Sequence, residues 1–204
     1  SLTKADNSPG TWVLTGANTY SGVTTIGTGG IPSNNGFIIQ YGTLVATTLA
    51  NGGSPSSIGQ SGNSATNLLI NNGAVLKYTG GGASTDRGFT INCGTDANQG
   101  VTLDASGTGA INWTSTSAIP YGSVNFTRTF TLSGSSTANN TLAALIGNNG
   151  TAATTLAKGG KGTWVLDGSA VNTYTGGTIV NSGTLVEDFS NLATPANLIN
   201  SNSF

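Results

Sequence analysis

Two stretches of this chain are copies of one another, and that internal repetition constrains the fold more than any other feature. The first reads Gly10-Thr11-Trp12-Val13-Leu14-Thr15-Gly16-Ala17-Asn18-Thr19-Tyr20-Ser21-Gly22. The second reads Gly162-Thr163-Trp164-Val165-Leu166-Asp167-Gly168, then Asn172-Thr173-Tyr174-Thr175-Gly176. The tryptophans are offset by 164 − 12 = 152 positions and the tyrosines by 174 − 20 = 154, so the second copy carries two extra residues between strand and turn, as a loop allows. The likeness extends outward. Leu2-Thr3-Lys4 precedes the first copy as Leu156-Ala157-Lys158 precedes the second, and Gly42-Thr43-Leu44-Val45 matches Gly183-Thr184-Leu185-Val186.

Between the copies, apolar residues alternate with period two, the signature of strands with one buried face. Phe37, Ile39 and Tyr41 share a face, as do Ala74, Leu76 and Tyr78; Phe89, Ile91 and Cys93; Val101, Leu103 and Ala105; Ile111 and Trp113; Val124 and Phe126. Thr90, Asn92, Thr102, Asp104, Asn112 and Asn125 are then expected to face outward. Turns are marked by Asn-Asn-Gly at Asn34-Asn35-Gly36, Asn71-Asn72-Gly73 and Asn148-Asn149-Gly150, residues that tolerate positive φ. No segment keeps a helical period, which excludes βαβ architectures. The fold class is therefore all-β, either a parallel β-helix (a solenoid) or, because hairpins use the same turns, an antiparallel β-sandwich.

Composition narrows the function. Only 6% of the 204 residues are charged, yet no apolar run approaches the length of a spanning helix, so no membrane insertion is expected. A net charge of −1 gives no field for gathering phosphates, so no nucleic acid is expected as a partner. The chain has no His and one Cys, which excludes imidazole metal centres and any intrachain disulfide. It lacks Met and a charged-then-apolar leader, which points to a processed product or a slice of something longer.

The candidate site residues read as structural. Trp12 alternates in phase with Leu14 and Trp164 with Leu166, placing both indoles inward and leaving sugar stacking as the lesser reading. Tyr20 and Tyr174 sit in the following turn, with each hydroxyl expected on nearby backbone. Cys93 shares the face of Phe89 and Ile91, as a buried thiol does. Of the acids Asp6, Asp86, Asp96, Asp104, Asp167, Glu187 and Asp188, only Asp86, Asp96 and Asp104 beside Arg87 resemble a hydrolytic cluster, and their spacings of 10 and 8 spread them over different faces. No catalytic residue, cofactor or metal site is expected, and the chain is read as no enzyme.

The segment from Gly10 to Val45 resembles the passenger-associated β-strand repeat of bacterial autotransporter-like proteins, and the second copy is closer still, with Asn172-Thr173-Tyr174-Thr175-Gly176-Gly177-Thr178-Ile179 followed by Asn181-Ser182-Gly183-Thr184-Leu185. Ser54-Pro55-Ser56-Ser57-Ile58-Gly59 and Ala83 to Thr90 are similar to segments between such repeats. The resemblance implies a right-handed parallel β-helix, secreted to the cell exterior or cell surface, within a very long chain. It also implies that the Asn-x-Thr triplets at Asn112, Asn125, Asn139 and Asn149 stay unglycosylated in a bacterial source. One solenoid domain over 1–204 is expected, with a long repeat over about 2–155, the start of a second over about 156–187 and a divergent tail over 188–204.

Coils of about 20 to 25 residues would give about eight to ten turns. The open ends of such a rod need a partner, which makes the expected role a structural or adhesive surface fibre. The expected partners are a second copy stacked end to end, neighbouring repeats of a longer chain, and surface glycans. A polysaccharide-binding or polysaccharide-processing β-helix is the alternative.

Overall fold

The computed structural model describes residues 1–4, 10–27, 42–95, 97–194 and 198–199. The Phe37-Ile39-Tyr41 face, the Asn34-Asn35-Gly36 turn, Asp6 and Asp96 lie outside them.

Every pairing between named strands is parallel, and the chain winds repeatedly past three sheets. The first face holds β1 (Leu2–Lys4), β3 (Thr24–Ile26), β5 (Leu68–Asn71) and β8 (Thr90–Asn92) in that order. The second stacks seven strands: β2 (Thr11–Leu14), β4 (Gly42–Ala46), β6 (Ala74–Tyr78), β9 (Gln99–Ala105), β11 (Arg128–Ser133), β13 (Thr154–Lys158) and β15 (Thr178–Val180). The third holds β7 (Ala83–Thr85), β10 (Ile111–Trp113), β12 (Asn140–Leu142), β14 (Thr163–Leu166) and β16 (Thr184–Glu187). Strands adjacent in a sheet are never adjacent in sequence, which defines a parallel β-helix and removes the antiparallel sandwich.

The core follows from register. On the second face Trp12 lies beside Leu44, then Leu76, Leu103, Leu132, Lys158 and Val180, so like positions stack into one inward column. Leu44, Leu76, Leu103 and Leu132 are buried, and full burial of such a side chain stabilises by about 1.5–3 kcal/mol. A second column on the same face runs Ala74, Val101, Phe130 and Leu156. Phe130 reaches across to Phe89, with centroids 5.7 Å apart, and Phe89 meets Trp113 edge-on at 5.6 Å and 75°.

Some windings match the 20 to 25 residues expected, as from Ile70 to Ile91 (91 − 70 = 21), and others are longer. Register steps from Trp12 to Leu44 and from Leu44 to Leu76 are each 32 residues, falling to 22 between Lys158 and Val180. The excess lies in the corners, which carry insertions such as 47–67 without lengthening the strands.

The expected face Val124-Phe126 is not a strand. Asn125 sits at a φ of 66°, which turns the chain out of extended geometry and leaves Val124 exposed. The strand begins at Arg128 instead, whose buried guanidinium points inward and donates to the carbonyls of Thr127 and Gly94. Thr90, expected outside, is buried because its hydroxyl donates to the Ala65 carbonyl of the preceding winding. The turns at Gly73 and Gly150 have φ of 67° and 63°, as the Asn-Asn-Gly pattern requires.

The two repeat copies form the same substructure on different faces. In the first, Thr11-Trp12-Val13 pairs with Thr43-Leu44-Val45 and Leu2-Thr3-Lys4 with Thr24-Thr25-Ile26. In the second, Thr163-Trp164-Val165 pairs with Thr184-Leu185-Val186 and Leu156-Ala157-Lys158 with Thr178-Ile179-Val180. The first copy uses the first and second faces, the second copy the second and third. The motif thus encodes which strands stack, and it is indifferent to which side of the coil they stack on.

Candidate functional site

Each residue singled out from the sequence has a definite place. Trp164 is 1% exposed, and its indole N–H donates to the Ser133 carbonyl of the preceding winding at 2.8 Å. Trp12 is 40% exposed, a correction to its expected burial. Its phase is inward, but β2 is the terminal strand of its sheet, and among the described strands only β4 stacks on it. Tyr20 and Tyr174 bond to the Thr24 and Thr178 hydroxyls at 2.9 and 2.6 Å, whereas backbone partners were expected. Cys93 is buried, and burial pushes its thiol up to about 11.

The acids do not converge. Asp104 belongs to β9 on the second face, 3.8 Å from Lys77, and accepts from Ser106. Asp86 follows β7 on the third face. Among the described residues no group of three or more His, Cys, Asp or Glu side chains is placed to hold a metal. No helix among them is long and apolar enough to cross a membrane.

Thr85-Asp86-Arg87 clamps the 50–63 corner of the winding before it. The Thr85 hydroxyl donates to Ala50 O, and the Asp86 carboxylate accepts from Gly52 N at 2.7 Å and from Asn63 Nδ2 at 3.2 Å. The buried Arg87 guanidinium donates to Ala50 O, Ser54 O, Gly59 O and Ser61 Oγ, and desolvation lowers its pKa. Four acceptors around one guanidinium leave it little capacity for a ligand.

Beside that clamp lies a cleft of about 270 Å³ at the corner between the third and first faces. It crosses four windings, from Asn63-Ser64-Ala65 past Asp86 to Phe89, then 113–119, then Ala144. Phe89, Trp113 and Ile119 form an apolar floor, while Asn63, Asp86, Ser115 and Ser117 supply a polar rim. Sequence reasoning missed it, because its walls come from four windings and no linear motif spans them.

Exposed apolar side chains lie near both terminal strands of the described coil. Trp12 and Val13 are exposed at the first, and Ile179, Val180, Val186 and Phe189 at the last. Near the last end the buried Lys158 ammonium is held by the carbonyls of Gly159, Gly160 and Ser182, with no carboxylate partner among the described residues, and desolvation lowers its pKa. Leu198 is fully buried there. Its N–H donates to Glu187 and its carbonyl accepts from Asn172 Nδ2, as the Ser57 carbonyl accepts from the equivalent Asn18.

The passenger-associated-transport-repeat family matches residues 2–31 and 156–186. The adhesin BmaC autotransporter of Brucella suis biovar 1 (strain 1330) is 46% identical over 142 residues, which is 70% of this chain and 4% of that protein. No solved structure matches.

Proposed function

We propose that this chain, which is an autotransporter passenger repeat protein with its repeat at 2–31 and 156–186, works as a non-catalytic adhesive and structural module within a longer extracellular rod. It lies outside the cell or on its surface, where a passenger is displayed. The observation that carries the reading is the uninterrupted parallel ladder, from β2 to β15, whose inward column ends on the exposed side chains Trp12 and Val180.

Three features support it. Among the described residues each of the terminal strands β2, β15 and β16 has a single sheet neighbour and lies next to exposed apolar side chains, and a soluble sheet protects such edges by pairing them. The Asn172 bond to Leu198 repeats the Asn18 bond to Ser57, so Leu198 takes the place of Ser57 in the 47–59 corner. On this reading Leu198 belongs to the start of a further winding. The described carboxylates are dispersed and structurally engaged, which favours a non-enzymatic role.

The ends then meet either further repeats of the same polypeptide or a second copy stacked end to end. Surface glycans are the proposed ligands of the lateral face. Electron microscopy of the purified chain at rising concentration tests the stacking, with rods lengthening in steps of one chain as the expected outcome. Single short rods at every concentration would leave the longer-chain arrangement in place and remove the stacking of separate copies.

A further inference from the structure

We propose that the cleft bordered by Asp86, Phe89, Trp113 and Ser117 seats one neutral pyranose unit of a glycan, a site that deepens and rests on the adhesive reading above. Size is the first argument. A space of about 270 Å³ lies just under the range of drug-sized pockets, which suits a ring of hexose size.

Chemistry is the second. A pyranose has one face of C–H groups and a rim of hydroxyls. The cleft matches this pairing, with Phe89, Trp113 and Ile119 below and Asn63, Asp86, Ser115 and Ser117 around the edge. The Asp86 carboxylate already accepts two hydrogen bonds, from Gly52 and Asn63, which fix its orientation. A carboxylate has about four lone-pair directions, so about two remain for sugar hydroxyls.

Charge is the third argument and decides between ligand classes. Asp86 and Arg87 are the charged residues lining the cleft, and Arg87 is buried with its donors on four protein acceptors. Among the described lining residues no cation is left to receive a sialic or uronic acid, while Asp86 repels one. The ring is held by carboxylate, amide and hydroxyl groups, all suited to neutral hydroxyls.

Preorganisation is the fourth. Asp86 is gripped from the neighbouring winding, by Gly52 N and Asn63 Nδ2 on its carboxylate and by Asn51 Oδ1 on its own N–H. The floor is fixed by the edge-on Phe89–Trp113 contact. Little ordering entropy is then left for binding to oppose.

The test is ligand-observed NMR of the full 204-residue chain with methyl glycosides of glucose, galactose and mannose, and with N-acetylneuraminic and glucuronic acids as charged comparisons. At least one neutral glycoside is expected to bind saturably with a Kd on the order of 1 mM, or about −4 kcal/mol. Ser117→Trp, at an exposed rim position, should weaken it at least tenfold with an unchanged circular dichroism spectrum. Saturable binding that survives Ser117→Trp, tighter binding of the acids, or no saturable binding by any neutral glycoside overturns the proposal. If Ser117→Trp changes the spectrum, Ser115→Leu on the same rim takes its place with the same expected result. Adherence of cells displaying the passenger is measured in parallel. Adherence that persists without glycoside binding removes the cleft and leaves the adhesive role standing.

Discussion

Tyr174 and Thr178 share a hydrogen bond of 2.6 Å between their hydroxyls, and Tyr20 and Thr24, in the other repeat copy, share the same bond at 2.9 Å. In both copies the threonine opens the strand that follows the turn, β15 or β3, so the phenol ties the corner to that strand. Thr24 also donates to Ile58 O in the next corner, extending the tie by one winding. Tyr174→Phe should cost about 1 kcal/mol in urea unfolding, the net worth of one hydrogen bond whose threonine partner is left in place. Tyr20→Phe should cost less, because Tyr20 is half-buried and water replaces part of the lost bond.

The two repeat tryptophans separate sharply. Trp164→Ala removes a fully buried indole with a satisfied N–H and should cost about 3–5 kcal/mol. Trp12→Ala, at a 40% exposed terminal strand, should cost about 1 kcal/mol or less in the isolated chain. Chemical denaturation of the two variants reads the difference directly. Acrylamide should quench wild-type fluorescence in part and lose that fraction in Trp12→Phe, since Trp113 and Trp164 are both buried.

The period-two pattern was sufficient to place Leu76, Ile91, Leu103 and Ile111 inside, because an apolar residue facing a stacked column has one favourable side. It failed at Arg128 and Lys158, which occupy inward positions while carrying charge. Their heads are met by carbonyls of corners distant in sequence, Gly94 for Arg128 and Ser182 for Lys158, and no local pattern announces such partners. It failed in the opposite sense at Trp12, where phase was read correctly but burial depends on the neighbouring winding. The repeat motif revealed which segments of the two copies are equivalent. The rotation of the second copy onto another face was invisible, because corner lengths set it and corners carry no periodicity.

Cys93 is 2% exposed, with its thiol pushed up to about 11 by desolvation, while the charge of Arg128 acts in the opposite direction. The thiolate fraction at pH 8 is then negligible and access is closed. Ellman's reagent should leave native protein unlabelled over hours and react with one thiol per chain in denaturant. The native labelling rate therefore reports opening of the windings around β8 and should rise in Phe89→Ala, which removes the ring packed between Trp113 and Phe130.

Asp167 carries a carboxyl raised by burial, with bonding to Thr141 opposing the shift and the nearby Asp188 adding a small rise. One of its oxygens is buried with no hydrogen-bond partner among the described residues. A folded pKa above the unfolded one means that the native state holds the proton more tightly. The stability this contributes is full below the unfolded carboxylate range and is lost as pH rises through the raised folded value. At pH 7 the charged form is therefore a local liability. Asp167→Asn should raise Tm by roughly 1–3 °C at pH 7 and show no gain at pH 3.5, where the wild-type group is already protonated. Asp188, half-buried and lowered by its bonds to Ser190, shifts the opposite way, so the single variant is needed to isolate Asp167.

The terminal strand β15 presents Ile179 outward at 48% exposure and Val180 at the open end of the inward column at 52%. A charge on an edge strand is a general way of preventing edge pairing, because an incoming strand would have to desolvate it. Ile179→Lys changes a side chain that points away from the core, so the fold of one chain should be retained, with Tm within about 2 °C of wild type. Any end-to-end association seen by sedimentation velocity should fall by roughly tenfold or more in apparent affinity, since about 1.4 kcal/mol corresponds to a factor of ten. Lys substituted for Val124, which is 60% exposed on a lateral corner, serves as the control for added charge alone. Equal loss in both variants would make the effect one of net charge, and loss in Ile179→Lys alone places the contact at the strand edge.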